Sequence, residues 1–461
     1  MIVEKLPCKL PPTEVYQRLR QIDEPAWLDS AEAGGPRGEH SIIAVGWQSL
    51  LITDAAGNTT LHNQGEEQQL IELNPLAALD AIIADNHREN TTGFPFAGGL
   101  IGYLSYDLCQ QLEAIPLPPA NASAMPRMNW QCYDAALTYD HETSEWHFVS
   151  SAKEPPLALL AKVKECLAAD SGQAAGNYEV NDLRSNFSEN EFCAAVERAR
   201  TYIASGDVYQ VNLSQQYSAN WQGDPLALYK RLREISPAPY AALLPLAGGH
   251  LLSSSPELFL RVRGNRIETR PIKGTRPRDA SATTDALNRA ELLTSEKERA
   301  ELLMIADLER NDLGRICQPG TVHTSELHAI EEYPHVFHQI AHIQGTIKPG
   351  MTPGNILRAT FPGGSITGAP KIRAMQIISE LEPVRRGPYC GSMGWIGYDG
   401  AMELNIAIRT LVIQSSRVMF NVGGGIVWDS IPAQEYQETL HKAAGMLIAI
   451  GLQNAEVAHD R

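Results

Sequence analysis

The chain has 461 residues, 43% hydrophobic and 20% charged, the composition of a soluble globular protein with room for about two to three domains. Its formal net charge of −16 argues against a broad basic surface for nucleic acid. Seven cysteines (Cys8, Cys109, Cys132, Cys166, Cys193, Cys317 and Cys390) show no Cys-x-x-Cys spacing, which argues against a disulfide framework or structural zinc and for a reducing cytoplasm. Met1 to Pro7 lacks the charged-then-apolar pattern of an export signal, and no apolar run reaches membrane-spanning length. A cytoplasmic location without a membrane partner is expected.

In chain order, Pro12 to Ile22 predicts a helix, Ser41 to Thr53 a strand, and Pro75 to Asn86 a helix opened by proline. Gly98 to Tyr106 predicts a strand whose glycines mark close backbone approach. Ala135 to Tyr139 and Trp146 to Ser150 predict a hairpin, and Leu157 to Ala169 a helix. The small polar run Asp170 to Asn177 predicts a linker, and with it one domain over 1–175 and a second over 180–455. Ser188-Glu189-Asn190-Glu191 opens a helix to Ala204 with a capping-box pattern. Strands follow at 208–217, 241–246, 251–254, 258–262 and 266–269, then a long helix from Thr294 to Arg310. A helix at Ala369 to Leu381, strands at 392–396, 404–413 and 418–422, and a helix at Gln434 to Ile450 complete the chain. The mixed order, without strict βαβ alternation, predicts an α+β fold.

Lys273 lies in Arg270-Pro271-Ile272-Lys273-Gly274-Thr275-Arg276-Pro277, read as a turn after the 266–269 strand. Arg270, Arg276 and Arg278 surround it, and like charge favours a neutral, nucleophilic amine. A surface lysine in a basic turn is the plain alternative. Glu298 and Glu301, and again Glu435 and Glu438, lie three apart on predicted helices and so share faces. Two such faces opposed suit Mg2+, which takes carboxylate oxygens. Spacing leaves open which Glu of each pair faces inward, and solvated surface pairs read the same way. Glu257 follows Ser253-Ser254-Ser255-Pro256 at a strand start. It can serve as a general acid if its carboxyl is shifted upward, or be an ordinary edge glutamate.

Phe361 to Lys371 is a glycine-rich loop running into a helix, where backbone N–H groups suit an anion, though the Gly-Lys-Ser/Thr of a P-loop is absent. Asn421 to Val427 reads as a second loop, in which Gly423, Gly424 and Gly425 can present amides to a carboxylate. Each also reads as a tight turn. Arg409 interrupts an apolar strand and needs an anionic partner, such as a bound carboxylate. His338 lies in Val336-Phe337-His338-Gln339-Ile340, where a structural role is as natural as a catalytic one.

Taken together, Pro271 to Thr275, Arg299 to Leu308, Phe361 to Lys371, Ile408-Arg409-Thr410, Gly423 to Ser430 and Glu435-Tyr436-Gln437-Glu438-Thr439 stand in an order that resembles the chorismate-utilising enzymes. The resemblance covers roughly Phe187 to Gly451, is specific as a set, and within the family points to the aminodeoxychorismate synthases. It implies layered antiparallel sheets flanked by helices, with chorismate and Mg2+ bound between the layers of the 180–455 domain. Glu301 and Glu438 match metal-ligand positions, with Glu435 beside them and Glu298 at the surface or behind. Thr275, Arg409, the Gly423, Gly424 and Gly425 amides and Lys442 match substrate-binding positions. Lys273 matches a lysine that attacks ring carbon C2 as the C4 hydroxyl leaves, after which ammonia attacks C4 and expels it. Glu257 matches the general acid and base, and His338 an assisting position. Anthranilate synthases resemble the chain closely but usually carry alanine where Lys273 stands. The implied product is therefore 4-amino-4-deoxychorismate, precursor of 4-aminobenzoate in folate synthesis.

Cys390-Gly391-Ser392 is not the Gly-x-Cys-x-Gly turn of a glutaminase, so the resemblance implies a separate glutamine amidotransferase subunit as ammonia source, and another enzyme for aromatisation. Related anthranilate synthases bind tryptophan through a Leu-Leu-Glu-Ser stretch and an Asn-Pro-Ser-Pro-Tyr stretch. Here Trp27-Leu28-Asp29-Ser30 and Ser236-Pro237-Ala238-Pro239-Tyr240 stand instead. Ser30, Pro239 and Tyr240 match, and Arg37-Gly38-Glu39-His40 would close over them. A tryptophan-sized site in the 1–175 domain is therefore expected.

Overall fold

Apolar strands joined by short turns pair into two large, almost wholly antiparallel sheets in the computed structural model. It describes residues 1–31, 38–64, 69–119, 124–169, 176–333 and 336–452, and the backbone of Ala458–His459. The first sheet places Ala26–Asp29 beside Tyr240–Leu246, followed by Gly249–Ser255, Thr410–Gln414, Arg417–Ile426 and Gln210–Gly223. The second runs from Ile272–Pro277 through Val336–Thr346, Arg266–Arg270, Leu258–Arg263, Met402–Asn405 and Ser392–Gly397 to Gly99–Leu104 and beyond. Helices flank both, which is the expected α+β architecture. Both sheets cross the predicted 1–175/180–455 division: Leu28 pairs with Ala242, and Ile101 with Trp395. Gly99 permits this closeness, since a Cβ there would meet the Ile396 carbonyl oxygen at 2.3 Å.

Twice the chain passes from one sheet to the other at nearly the same place. Gly249–Ser255 belongs to the first sheet and Leu258–Arg263 to the second, with Pro256 and Glu257 between them. Met402–Asn405 belongs to the second sheet and Thr410–Gln414 to the first, joined by 406–409. The single strand expected over 404–413 is therefore two strands in different sheets, and Arg409 lies in the crossing rather than on a strand. Its φ of +49° is a conformation that non-glycine residues rarely adopt. The two crossings are bonded to each other: Ile406 N–H donates to Glu257 O at 3.0 Å, Ser254 N–H to Arg409 O at 3.0 Å, and Ser255 Oγ to Ile406 O at 2.6 Å.

Other differences have local causes. The helix expected over Thr294 to Arg310 is present as Glu296–Ile316, opened at Ser295, which is extended and whose hydroxyl accepts from the Glu298 N–H, while a separate helix, Ala282–Thr294, precedes it. The strand expected over 41–53 is divided at Gly46, φ +70°, into His40–Ala44 and Ser49–Thr53, which join different sheets. The capping box at Ser188 and Glu191 is present. Between the second sheet and helix Glu296–Ile316 the core includes Leu260, Ile267, Leu302, Ile343 and Leu404, all buried. Each contributes about 2 kcal/mol by burial. Among the described residues no helix is long and apolar enough to cross a membrane.

Candidate active site

The paired crossings put Glu257 at the seam between the sheets, 4% exposed. Burial pushes its carboxyl up to about 7, while the Ser365 hydroxyl, Lys273 and the Ile272 amide act in the opposite direction. A carboxyl poised near neutrality can both give and take a proton. Arg409 stands on the adjoining crossing, half-buried.

Lys273 is not in a turn. It lies on strand Ile272–Pro277, where Ile272 pairs with Ile340 and Thr275 with His338. Lys273 and Gly274 thus oppose the single residue Gln339, the two-against-one count of a β-bulge, which re-aims a side chain. Gly274 has φ +79°, and a Cβ there would meet Leu292 Cδ1 at 2.7 Å and Glu298 Oε2 at 2.9 Å. Lys273 Nζ donates to the Ser365 carbonyl at 3.3 Å, which ties the bulge to the predicted glycine loop. The three nearby arginines point elsewhere: Arg270 to Glu331 at 2.8 Å, Arg276 to Glu291 at 3.0 Å, and Arg278 to Asp285 at 2.9 Å. The charged groups that Lys273 does face are carboxyls, namely Glu257, Glu301 and Glu438. The expected crowd of positive charge is therefore a misreading of sequence neighbours as spatial ones. Thr275 Oγ1 and His338 Nδ1 are 2.8 Å apart, with His338 buried.

The predicted acidic residues converge from two helices, Glu296–Ile316 and Pro432–Ala449. A Cβ on Gly424 would lie 3.4 Å from both Glu435 Oε2 and Glu438 Oε1, and 3.8 Å from Lys442 Nζ. Ser430 Oγ donates to Glu435 Oε1 at 2.6 Å. Lys442 donates to Glu438 Oε1 at 2.7 Å and to Gly423 O at 2.9 Å. Burial pushes Glu301 up, Glu298 and Glu438 add to it, and Lys273 and Lys297 oppose it. Burial also raises Glu435 against its Ser430 bond, with Glu438 adding to the rise. For Glu438 burial is outweighed by Lys442, Lys297 and Lys273, which hold it below its ordinary range. Glu298 bonds Arg276 at 3.4 Å instead. Among the described residues no three His, Cys, Asp or Glu side chains stand as a ready ligand array. The donor set nevertheless fits Mg2+: three carboxylates, two of them raised by burial and by the third, Glu438, are charge that a hard cation relieves. Lys297, one turn before Glu301, was not singled out from the sequence, nor were Ser365 and Ser430 given roles. Lone lysines and serines carry no spacing signal.

Gly423, Gly424 and Gly425 form no loop. They lie in strand Arg417–Ile426, opposite Ser214, Leu213 and Asn212. Strand Thr410–Gln414 pairs with that strand only as far as Met419. Past that point alternate amides point off the ladder toward an edge no described strand covers. The 361–371 loop contains a 3₁₀ turn, Gly364–Ile366, and a two-residue strand, Gly368–Ala369, before helix Lys371–Leu381. It is fixed from behind by Arg386, which bonds Ile366 O at 3.2 Å and Glu382 at 2.6 Å. A larger cavity of about 840 Å³ opens on the other side of helix Glu296–Ile316, lined by Met304, Leu308, Lys371 and Met375.

Ser30, His40, Pro239 and Tyr240 line one small cavity of about 40 Å³, room for about one water. Ser30 Oγ bonds His40 O at 2.9 Å and Pro239 O at 3.3 Å. Asp29 accepts from Ser41 Oγ at 2.9 Å, Arg233 Nε at 2.6 Å and Tyr229 OH at 3.1 Å. Gly38 is buried and Glu39 exposed. Arg37 lies outside the described residues.

A family model described as chorismate binding enzyme matches residues 23–448. Aminodeoxychorismate synthase component 1 of Bacillus subtilis (strain 168) is 40% identical over 438 residues, covering 93% of this chain and 92% of that protein. Anthranilate synthase component 1 of Acetivibrio thermocellus is 35% identical over 458 residues, covering 95% and 92%. The crystal structure of anthranilate synthase component I from Streptococcus pneumoniae TIGR4 is similar with a TM-score of 0.78 at 31% identity, covering 90% of this chain and 93% of that one.

Proposed function

The chain belongs to the chorismate-binding enzyme family, and we propose that within it the chain is the large subunit of an aminodeoxychorismate synthase, turning chorismate and ammonia into 4-amino-4-deoxychorismate and water. One observation carries the reading: Lys273 is aimed by a bulge at Ser365, beside the buried Glu257. The Lys273 amine bonds to ring C2 as the two conjugated ring double bonds shift and the C4–O bond breaks. Glu257 gives the departing hydroxide a proton, so that it leaves as water. Ammonia then bonds to C4, the shift reverses, and the C2–N bond to Lys273 breaks. Glu257 recovers a proton from the new ammonium, and the enzyme is restored. His338, bonded to Thr275, positions the lysine strand. Arg409, the amides of the Gly423–Gly425 stretch and Lys442 supply the cationic and N–H groups that hold substrate carboxylates. Glu301, Glu435 and Glu438 would hold Mg2+, which when bound supplies a Lewis acid for a substrate carboxylate.

Both relatives carry the name component 1, which supports a glutamine amidotransferase subunit as ammonia source. Free thiols at all seven cysteines support a cytoplasmic location, and the product class supports a place in 4-aminobenzoate and folate synthesis. The second reading, anthranilate synthase component 1, is favoured by comparable similarity to those enzymes. Product identification decides. Given chorismate, Mg2+ and ammonium at mildly alkaline pH, the chain is expected to form aminodeoxychorismate, and Lys273→Ala to abolish or redirect C4 amination. Anthranilate with pyruvate from the unaltered chain would establish the second reading. Unchanged C4 amination by Lys273→Ala would remove the covalent step.

A further inference from the structure

Helix Glu296–Ile316 turns Leu302, Ile305, Ala306, Leu313 and Ile316 inward. Glu309 lies on that same buried face, 6% exposed. A carboxylate there is costly unless paired. Among the described residues the only hydrogen bond to its carboxyl is from Thr269 Oγ1, at 2.8 Å. The position is not remote from the chemistry. A Cβ on Gly364 would stand 3.4 Å from Glu309 Cγ, so Glu309 packs beneath the turn that presents Ser365 to Lys273 and Glu257. Thr269 precedes Arg270, the ladder partner of Leu258. The hydroxyl that holds Glu309 therefore adjoins the strand that Glu257 immediately precedes.

We propose that Glu309 is a positioning residue for Glu257: a second buried carboxyl behind the reaction site, so placed that the two share their protons as a pair and one proton stays at hand for Glu257 on the alkaline side. Burial first, then the nearby Glu257, pushes Glu309 up to about 8; Asp312 adds to this, while Thr269 and Lys371 oppose it. Two carboxyls in one apolar wall do not readily ionise together, and their protons leave in two steps that belong to the pair. The arrangement suits the amination, which needs ammonia in its free form while its acid is still protonated. The inference rests on the proposed acid–base role of Glu257.

The test is the pH profile of chorismate consumption by the whole chain with Mg2+ and saturating ammonia, for the unaltered enzyme, Glu309→Gln and Glu309→Leu. In both variants the alkaline limb is expected to move toward acid by about one pH unit, a loss of about tenfold near its upper end. On the acid side the rate, and the KM for chorismate throughout, should stay within about twofold. Superimposable limbs, or a loss equal at every pH, would overturn the proposal. If Glu309→Leu fails to fold, Glu309→Gln decides alone, since it keeps an acceptor for Thr269. Failure of the functional reading is a separate outcome: the product would lack a C4 amine, while consumption still reports the limb.

Discussion

Asp29 and Glu257 are both buried carboxyls, 2% and 4% exposed, and their surroundings differ in kind. Asp29 receives three donors, one of them a guanidinium. Among the described residues Glu257 makes no ion-pair bond, and burial raises it to about 7 against the opposing pull of Lys273. A carboxylate with donors on both oxygens, one of them a cation, is a brace. One with no cation bonded to it, and buried, keeps a proton near neutrality and can move it. The contrast extends to their neighbours: the cavity beside Asp29 is nearly filled, whereas at the seam Lys273 faces Glu257, Glu301 and Glu438.

The largest effect expected from this comparison is at Glu257. Glu257→Gln should lower the turnover rate roughly 10²–10⁴-fold, the range for losing a general acid–base group. Its effect on stability should have the opposite sign. The folded carboxyl titrates near 7 and the unfolded one near its ordinary 4.5. Between those values the native state holds a proton that the unfolded chain has lost, so stability falls as pH rises through that window and then levels off. The whole shift corresponds to about 3 kcal/mol. Denaturation above about pH 8 should therefore find Glu257→Gln more stable than the unaltered chain, with the advantage vanishing in acid. An inactive variant that is also less stable at alkaline pH would mean that Glu257 is a brace after all.

Much of the site was legible because its residues sit in short contiguous motifs. Lys273 with Thr275, Glu435 with Glu438, and the glycines of 423–425 are local signals that survive folding. What was not legible depends on partners far along the chain. The Lys273 bulge exists only against Ile340 and His338. The 404–413 run reads as one apolar strand because no local feature marks Ile406 to Arg409 as a crossing between sheets. Arg270, Arg276 and Arg278 read as a charge cluster because their carboxylate partners come from 285, 291 and 331. The glycines read as a loop because composition cannot tell a turn from a strand laid against Ser214 and Leu213. Glu309 was invisible for the same reason, since a glutamate in a helix reads as solvated until its face is known.

The complementary substitution is Asp29→Ala. It leaves Arg233 without its carboxylate, and Tyr229 and Ser41 without an acceptor. Removing one member of a buried pair costs about 3 to 5 kcal/mol, and somewhat less here because Arg233 remains 27% exposed. A loss of about 2 to 3 kcal/mol is expected in denaturant midpoints. The kcat/KM of the folded enzyme should change by no more than about twofold, because Asp29 bonds Ser41, Tyr229 and Arg233 and none of the residues assigned to the chemistry. The pair of variants forms a double dissociation: one keeps stability and loses chemistry, the other the reverse. A large loss of turnover in well-folded Asp29→Ala would break it.

The smallest effect concerns tryptophan at the N-terminal cavity, which we propose as its place of binding if the chain takes that ligand. The cavity of about 40 Å³ must widen to admit an indole, and Asp29, the carboxylate nearest in sequence to Ser30, already serves Arg233. Opening the cavity and releasing that bond subtract from affinity, so the site should be weak. A ligand that binds only the native state stabilises it by about 2.7 kcal/mol at a hundredfold excess over Kd. In a chain of this size that is a rise of only a few degrees, about 2 to 4 °C, in melting temperature. Thermal melts with increasing tryptophan are expected to show such a gradual rise, with chorismate turnover recorded alongside. Flat melts, with no tryptophan retained through purification, would leave the cavity a packed brace and sharpen the contrast with the seam. A steep rise at micromolar tryptophan would mean that Asp29 gives up Arg233 for a ligand's ammonium, and that the chain holds two working sites.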